Sequence, residues 1–234
     1  MSRYIRRNIG EGSTLVSIIR NKWLQSGIAG IPFAGGPAQA FLSNVVHEID
    51  QKNWNIYWES VESCIEDLQK EKIDIEYFSS EDFLKRIRQI YREVVTGTDK
   101  TKLVYLRNYL LASASTQELD ATWKDIFFDH LKSMTGSHLI ILRFFYNTQN
   151  SLSLRDRFQL KQRIANSPII LESVCKEIES ADKILVEMLV ADLCARGLLA
   201  LWLGDELMPR GWSITDSGLR LMRFLLVFQA DETA

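Results

Sequence analysis

Cysteine, proline and histidine are all scarce, with three, four and three copies in 234 residues. Cys64, Cys175 and Cys194 stand far apart and form no Cys-x-x-Cys pair, so the chain offers neither a disulfide framework nor a thiolate zinc site. That usage fits a reducing cytoplasm, and the start lacks the compact apolar core and small-residue cleavage site of a secretory signal. A strong excess of either charge is also missing, since the formal net charge is −2. With few prolines and twelve glycines, long helical periodicities run uninterrupted, and convincing strand alternation occurs only near residues 199–214. The fold class read from this pattern is mainly α.

The small net charge hides an uneven layout. Residues 1–47 carry five Lys or Arg against one acid, whereas residues 48–100 carry eight against thirteen; 101–135 balance, and 136–234 are slightly acidic. From Trp23 to Val46 no residue is charged, a length that would allow a membrane span. Pro32, Gly35, Gly36 and Pro37 break a helix in mid-run, however, and Gln25, Ser26, Gln39 and Asn44 dilute it. A helix, a turn and a helix start packed on the domain is the favoured reading of residues 23–46, with membrane contact the less favoured one.

The apolar spacing predicts a long helix from near Pro37 to about Lys70, with Val46, Ile49, Trp54, Tyr57, Trp58, Val61, Cys64, Ile65 and Leu68 on one side and a local break at Asn53 and Asn55. Ser79 with Asp82 reads as a capping box ahead of Phe83, Ile87, Ile90 and Val94. Thr96-Gly97-Thr98 closes that helix and opens one carrying Leu103, Leu106, Leu110 and Leu111; Ser115 with Glu118 repeats the cap before Leu119, Trp123, Phe127 and Leu131. These elements make residues 1–135 a helical bundle with a Gly/Pro-rich N-terminal segment.

Residues 136–234 read as a second domain. Helices follow Gly136-Ser137, Ser153 and Pro168, and a further helix starts at Ser180 or Asp182 and ends at Gly197, with Leu185, Met188, Leu189 and Leu193 as its apolar residues. Two short alternating runs come next, with Trp202 and Trp212 placed to meet across the strands, and Thr215-Asp216-Ser217-Gly218 opens a last helix. That order looks like a winged helix-turn-helix with a two-stranded wing. The last helix, Leu219 to Phe228, is apolar on more than one side, so it packs on the bundle or joins two copies in a homodimer.

The segments Ile73-Asp74-Ile75-Glu76-Tyr77-Phe78, Ser80-Glu81-Asp82-Phe83, Val94-Val95-Thr96 and Lys100, Lys102, Tyr105, Leu106 and Asn108, with Gly30-Ile31-Pro32-Phe33-Ala34-Gly35-Gly36 upstream, carry a resemblance. Over roughly residues 25–230 the chain resembles a family of uncharacterised prokaryotic helical proteins with a C-terminal winged helix. The resemblance implies a bundle followed by a winged helix; it implies no activity and no site residue.

Chemistry-bearing patterns are weak. His130 and His138 with Asp125 and Asp129 lack regular ligand spacing, and His47 beside Glu48 is less specific still. Gly97-Thr98-Asp99-Lys100-Thr101 lacks the upstream glycine and the Gly-Lys pair of a phosphate-binding loop and reads as a helix cap. No Gly-x-Ser-x-Gly elbow occurs, and Glu59, Glu62, Glu66 and Asp67 read as surface charge. No metal, no cofactor and no enzymatic activity is expected.

A DNA-reading winged helix needs Arg, Lys, Asn or Gln on its recognition helix, and this one offers Asp182, Lys183, Glu187, Asp192 and Arg196, with Asp205 and Glu206 beside Arg210 in the wing. The best phosphate or acidic-partner contacts are Arg155, Arg157, Lys161 and Arg163, with Arg210, Arg220 and Arg223 a second set only if the wing folds toward the last helix. The expectation is a cytoplasmic, non-enzymatic interaction or regulatory protein that meets a protein partner or itself. A DNA-binding regulator is the runner-up, and a membrane-contacting effector acting through residues 23–46, in phage defence by analogy with other small helical defence proteins, is the third.

Overall fold

A computed structural model describes residues 45–67, 74, 76–97, 99–115, 119–150, 167–178, 182–202 and 211–227. Among these the chain forms eight α-helices, one short 3-10 helix and one two-stranded antiparallel sheet, confirming a mainly helical class. The helices are α1 (Val45–Asp67), α2 (Glu81–Val95), α3 (Lys100–Ser113), α4 (Ala121–Ser133), α5 (Gly136–Asn150), α6 (Ser167–Glu177), α7 (Lys183–Ala195) and α8 (Asp216–Leu226), with β1 (Leu199–Trp202) and β2 (Gly211–Ile214) between α7 and α8. Among the described residues the chain divides into two compact units: residues up to 97 with 103–125, and residues 99–102 with 126–227.

In the first unit, Trp54, Tyr57, Trp58, Val61 and Ile65 recur at helical spacing and are all buried. Helix α1 runs unbroken through Asn53 and Asn55, so the expected break does not occur. Trp54 packs edge-on to Tyr91 of α2 with ring centroids 5.1 Å apart, the T-shaped contact that aromatic quadrupoles favour. On α2, Phe83, Ile87, Ile90 and Val94 face inward as expected.

Two caps differ from the sequence reading. The α2 cap is Ser80, whose Oγ accepts from the Phe83 N–H at 3.1 Å, because the 3-10 turn Glu76–Ser79 has already taken up Ser79. For α4 the cap is Asp120, which accepts from the Thr122 N–H at 2.7 Å, rather than Ser115. Gly97 has a φ of 87°, which suits the turn between α2 and α3.

The second unit is organised at its start by one carboxylate. Asp99 Oδ1 accepts from the Lys102 N–H at the start of α3, and Oδ2 accepts from the Gly136 N–H at the start of α5, both at 2.9 Å. One side chain therefore satisfies orphan donors on two helices and places negative charge at both N-termini. The buried Lys102 sends its Nζ to the carbonyl of Lys132, in the last turn of α4, at 2.9 Å. Asp99 thus gives the Gly97–Thr101 stretch the helix-capping role read from the sequence.

Leu139, Ile141, Leu142 and Phe145 of α5 are buried, and α5 packs against α6, α7, β2 and α8. Asp182 caps α7 by accepting from the Ile184 N–H at 3.1 Å. The other end closes on Gly197 at φ 71°, with Leu198 N–H donating to Leu193 O and Gly197 N–H to Cys194 O, a Schellman motif. That motif delivers the chain into β1. Thr215 then ties the far end of the hairpin back to the same turn: its hydroxyl donates to Gly197 O at 2.6 Å and accepts from the Gly218 N–H, capping α8.

The strand register pairs Leu199 with Ile214, Leu201 with Trp212 and Trp202 with Gly211, so Trp212 stands opposite Leu201 rather than Trp202, a one-residue offset from the expected tryptophan pair. On α8, Leu221, Met222 and Leu225 are buried and Phe224 meets Phe127 at 5.5 Å between ring centroids.

The double cap yields a coupled prediction. A Cβ on Gly136 would stand 2.2 Å from Asp99 Oδ1, so Gly136→Ala must displace the carboxylate and should cost about 1–2 kcal/mol by urea unfolding, comparable to losing a cap. In an Asp99→Ala background the clash is gone, and the same substitution should become neutral or stabilising, since alanine is the better helix former.

Candidate functional site

Two polar clusters and one apolar face stand out among the described residues. The apolar face belongs to α7. Val186, Val190 and Leu193, at i, i+4 and i+7, form its buried stripe, which leaves the residues between them outside. Ile184, Leu185 and Met188 are 64%, 46% and 65% exposed, and Ala191 and Ala195 are exposed further along the helix. Of six exposed large apolar side chains among the described residues, these three and Leu201 of β1 are four; the others, Ile56 and Ile126, are on α1 and α4. The sequence reading grouped Leu185, Met188, Leu189 and Leu193 as one apolar set, and of these only Leu193 is fully buried.

The charged residues of α7 are mostly engaged within the unit. Arg196 Nε donates to Asp192 Oδ2 at 2.7 Å, and its other nitrogens reach the hydroxyl and carbonyl of Ser133. His138 Nε2 stands 3.0 Å from the same Asp192 oxygen, close enough for an ion pair but off-line for a well-formed hydrogen bond. Lys183 lies 3.6 Å from Glu172 of α6. Asp192 and Arg196, expected on a solvent-facing recognition surface, are thus bound to the start of α5 and the end of α4. Glu187 is exposed, with neither a hydrogen bond nor an ion pair to any described residue.

His138 supplies one half of a capping box. Its Nδ1 accepts from the Thr135 backbone N–H at 3.1 Å, the role usually filled by Glu or Gln three residues into a helix, and this fixes the remaining proton on Nε2, toward Asp192. Desolvation depresses the His138 pKa, the Arg196 charge adds to this, and Asp192 opposes without winning. The Arg196 hydrogen bond, chiefly, holds Asp192 below the usual carboxylate range. The set therefore favours neutral imidazole beside an ionised carboxylate.

The second cluster lies in the first unit. Arg86 of α2 is wholly buried, with Nη2 3.0 Å from Asp82 Oδ1, and with Nη1 2.7 Å from both Asp125 Oδ1 and the Tyr109 hydroxyl. Tyr109 passes its own proton to the Lys124 carbonyl at 2.9 Å, Tyr77 donates to Asp82 at 2.6 Å, and Lys85 approaches Asp125 at 2.9 Å. Burial pushes the Tyr77 and Tyr109 hydroxyls well above the usual phenol range. It pushes Asp82 and Asp125 the same way, but hydrogen bonds from Tyr77, Lys85 and Arg86 outweigh it and both carboxyls stay below their ordinary values. These shifts keep the two phenols neutral and the two carboxyls ionised around the buried guanidinium, the arrangement of an ionic lock. Beside it an open groove of about 710 Å³ follows the outer face of α2 past Lys85, Arg88, Gln89 and Arg92.

The expected contact residues Arg155, Arg157, Lys161, Arg163 and Arg210 lie outside the described residues, as do the wing acids Asp205 and Glu206 and the uncharged segment as far as Asn44. Arg220 and Arg223 are exposed on α8. Among the described residues no group of His, Cys, Asp and Glu could hold a metal ion, and no helix is long and apolar enough to cross a membrane. Asp125 is engaged by Lys85 and Arg86, and His138 by Thr135 and Asp192. Cys64, Cys175 and Cys194 are half-buried, and desolvation raises the Cys194 thiol, which lowers its reactivity. Glu62 accepts from Trp58 Nε1 at 2.9 Å. No family model matches the chain, and no significant match to a curated protein or a solved structure is found.

Two outcomes follow for the polar clusters. Replacing both Asp82 and Asp125 by Ala leaves a buried guanidinium without a counter-charge and should cost about 3–5 kcal/mol, whereas Arg86→Met leaves carboxylates that can rehydrate and a Tyr109 hydroxyl still bound to Lys124, and should cost about 1–2 kcal/mol. Urea denaturation at neutral pH measures both. For His138 the folded pKa lies below the unfolded value of about 6.5, so the unfolded chain binds more protons and stability falls as pH drops through that value. Unfolding measured from pH 7.5 to 5.5 should show this slope, reduced in His138→Gln, with His130 contributing in the same direction.

Proposed function

We propose that residues 136–227 form a winged-helix module that recognises a protein partner through α7, and that the chain is a non-enzymatic interaction or regulatory protein. Among the described residues the order α5, α6, α7, β1, β2, with α5 packed on α6, α7 and β2, supports the winged-helix reading, in which α7 would be the recognition helix. One observation carries the functional reading: the exposed stripe of that helix is Ile184, Met188, Ala191 and Ala195, bordered by Leu185 and Glu187. Base edges are read by Arg, Lys, Asn or Gln, and phosphates by cations, and the only cation exposed on α7 is Lys183, already near Glu172. Exposed apolar side chains gathered on one element instead mark protein contact.

Fluorescence anisotropy of a labelled random duplex across a salt series tests this. Binding weaker than micromolar even at low salt is the expected result. Micromolar or tighter binding with a steep salt slope, lost when Arg155, Arg157, Lys161 and Arg163 are changed to Ala, would overturn it in favour of a DNA-binding regulator.

A further inference from the structure

We infer that the partner segment recognised by α7 is an amphipathic helix bearing a lysine or arginine beside its apolar stripe; this rests on the protein-recognition reading above. The geometry of α7 defines both halves of that description. Ile184, Met188, Ala191 and Ala195 follow one another at i, i+4, i+7 and i+11 and so share one face. Side-chain size falls along the stripe, from Ile184 and Met188 to Ala191 and Ala195, which lets a second helix approach closely at one end and interdigitate at the other. Such a surface accepts a helix bearing large apolar residues opposite the alanines.

Charge selects within that class. Glu187 borders the stripe at mid-length and is exposed with no counter-ion among the described residues, while Asp192 is neutralised by Arg196 and Lys183 lies beside Glu172. Covering the stripe draws the Glu187 carboxylate toward a desolvated rim, which is unfavourable unless the incoming segment supplies a cation. An acidic helix is rejected by like charge. The same residue disfavours a second copy as occupant: a two-fold axis crossing the middle of α7 brings two antiparallel copies together with both Glu187 carboxylates at the same edge. The complementary chemistry is therefore heterotypic, apolar and basic.

A displayed library of twenty-residue helical peptides, randomised at stripe and border positions and selected against the full chain, tests this. Enriched peptides should carry apolar residues at i, i+3 or i+4 and i+7 with Lys or Arg on one border. Their binding should be abolished by Met188→Asp, weakened about tenfold by Glu187→Gln, and shifted toward acid-bordered peptides by Glu187→Lys. Both positions are exposed, and circular dichroism confirms that each of the three variants folds. Peptides lost on Met188→Asp but indifferent to Glu187, or enriched in acids, would overturn the charge selection and leave protein recognition standing. No enrichment, or peptides insensitive to Met188→Asp, would overturn both. Sedimentation showing a dimer dispersed by Met188→Asp would assign the face to a second copy and overturn the heterotypic partner.

Discussion

The first unit depends on a guanidinium with no access to solvent. Arg86 carries a permanent charge, and a permanent charge is stable inside a protein only when it is paired and hydrogen-bonded. Asp82 comes from the same helix one turn earlier, but Asp125 and Tyr109 come from α4 and α3. The packing of α2 is therefore restricted to the register in which those groups converge. Apolar burial by Phe83, Ile87, Ile90 and Val94 drives the helix inward, and the arginine specifies how it sits there.

Asp99 performs the corresponding task in the second unit with less burial. An exposed carboxylate that caps two helices can do so only if their first turns are held side by side, so α3 and α5 start from a common point. Downstream, the Schellman turn at Gly197 and the Thr215 hydroxyl close the ends of α7, the hairpin and α8 against one another. Asp192 of α7 and Arg196 just beyond it are in turn held by His138 and Ser133. Glu187 and the apolar residues Ile184, Leu185 and Met188 around it stay exposed.

Much of this fold was legible in the sequence, and the misreadings have a common cause. The apolar residues of α2 and the caps at Asp182 and Thr215 follow from local periodicity and from the wish of short polar side chains to accept helix N–H groups. The caps at Ser80 and Asp120 were each misplaced, by one and by five residues, because several capping residues compete there: Ser79 with Ser80, and Ser115 with Asp120. The tryptophan pair across the strands failed for a similar reason, since a register shift of one is invisible to alternation alone.

The sequence by itself determined the helical class and most of the described helix starts, because each is a property of residues close along the chain. It could not decide which side of α7 faces outward. Val186, Val190 and Leu193 compete with Ile184, Leu185 and Met188 for the core, both sets have helical spacing, and hydrophobicity favours neither. Packing against α5, α6 and β1 resolved the choice, because only one stripe can be buried while Asp192 reaches His138 and Arg196 reaches Ser133. The burial of Arg86 was likewise hidden, since its partners stand 23 and 39 residues away and only tertiary structure brings them within reach.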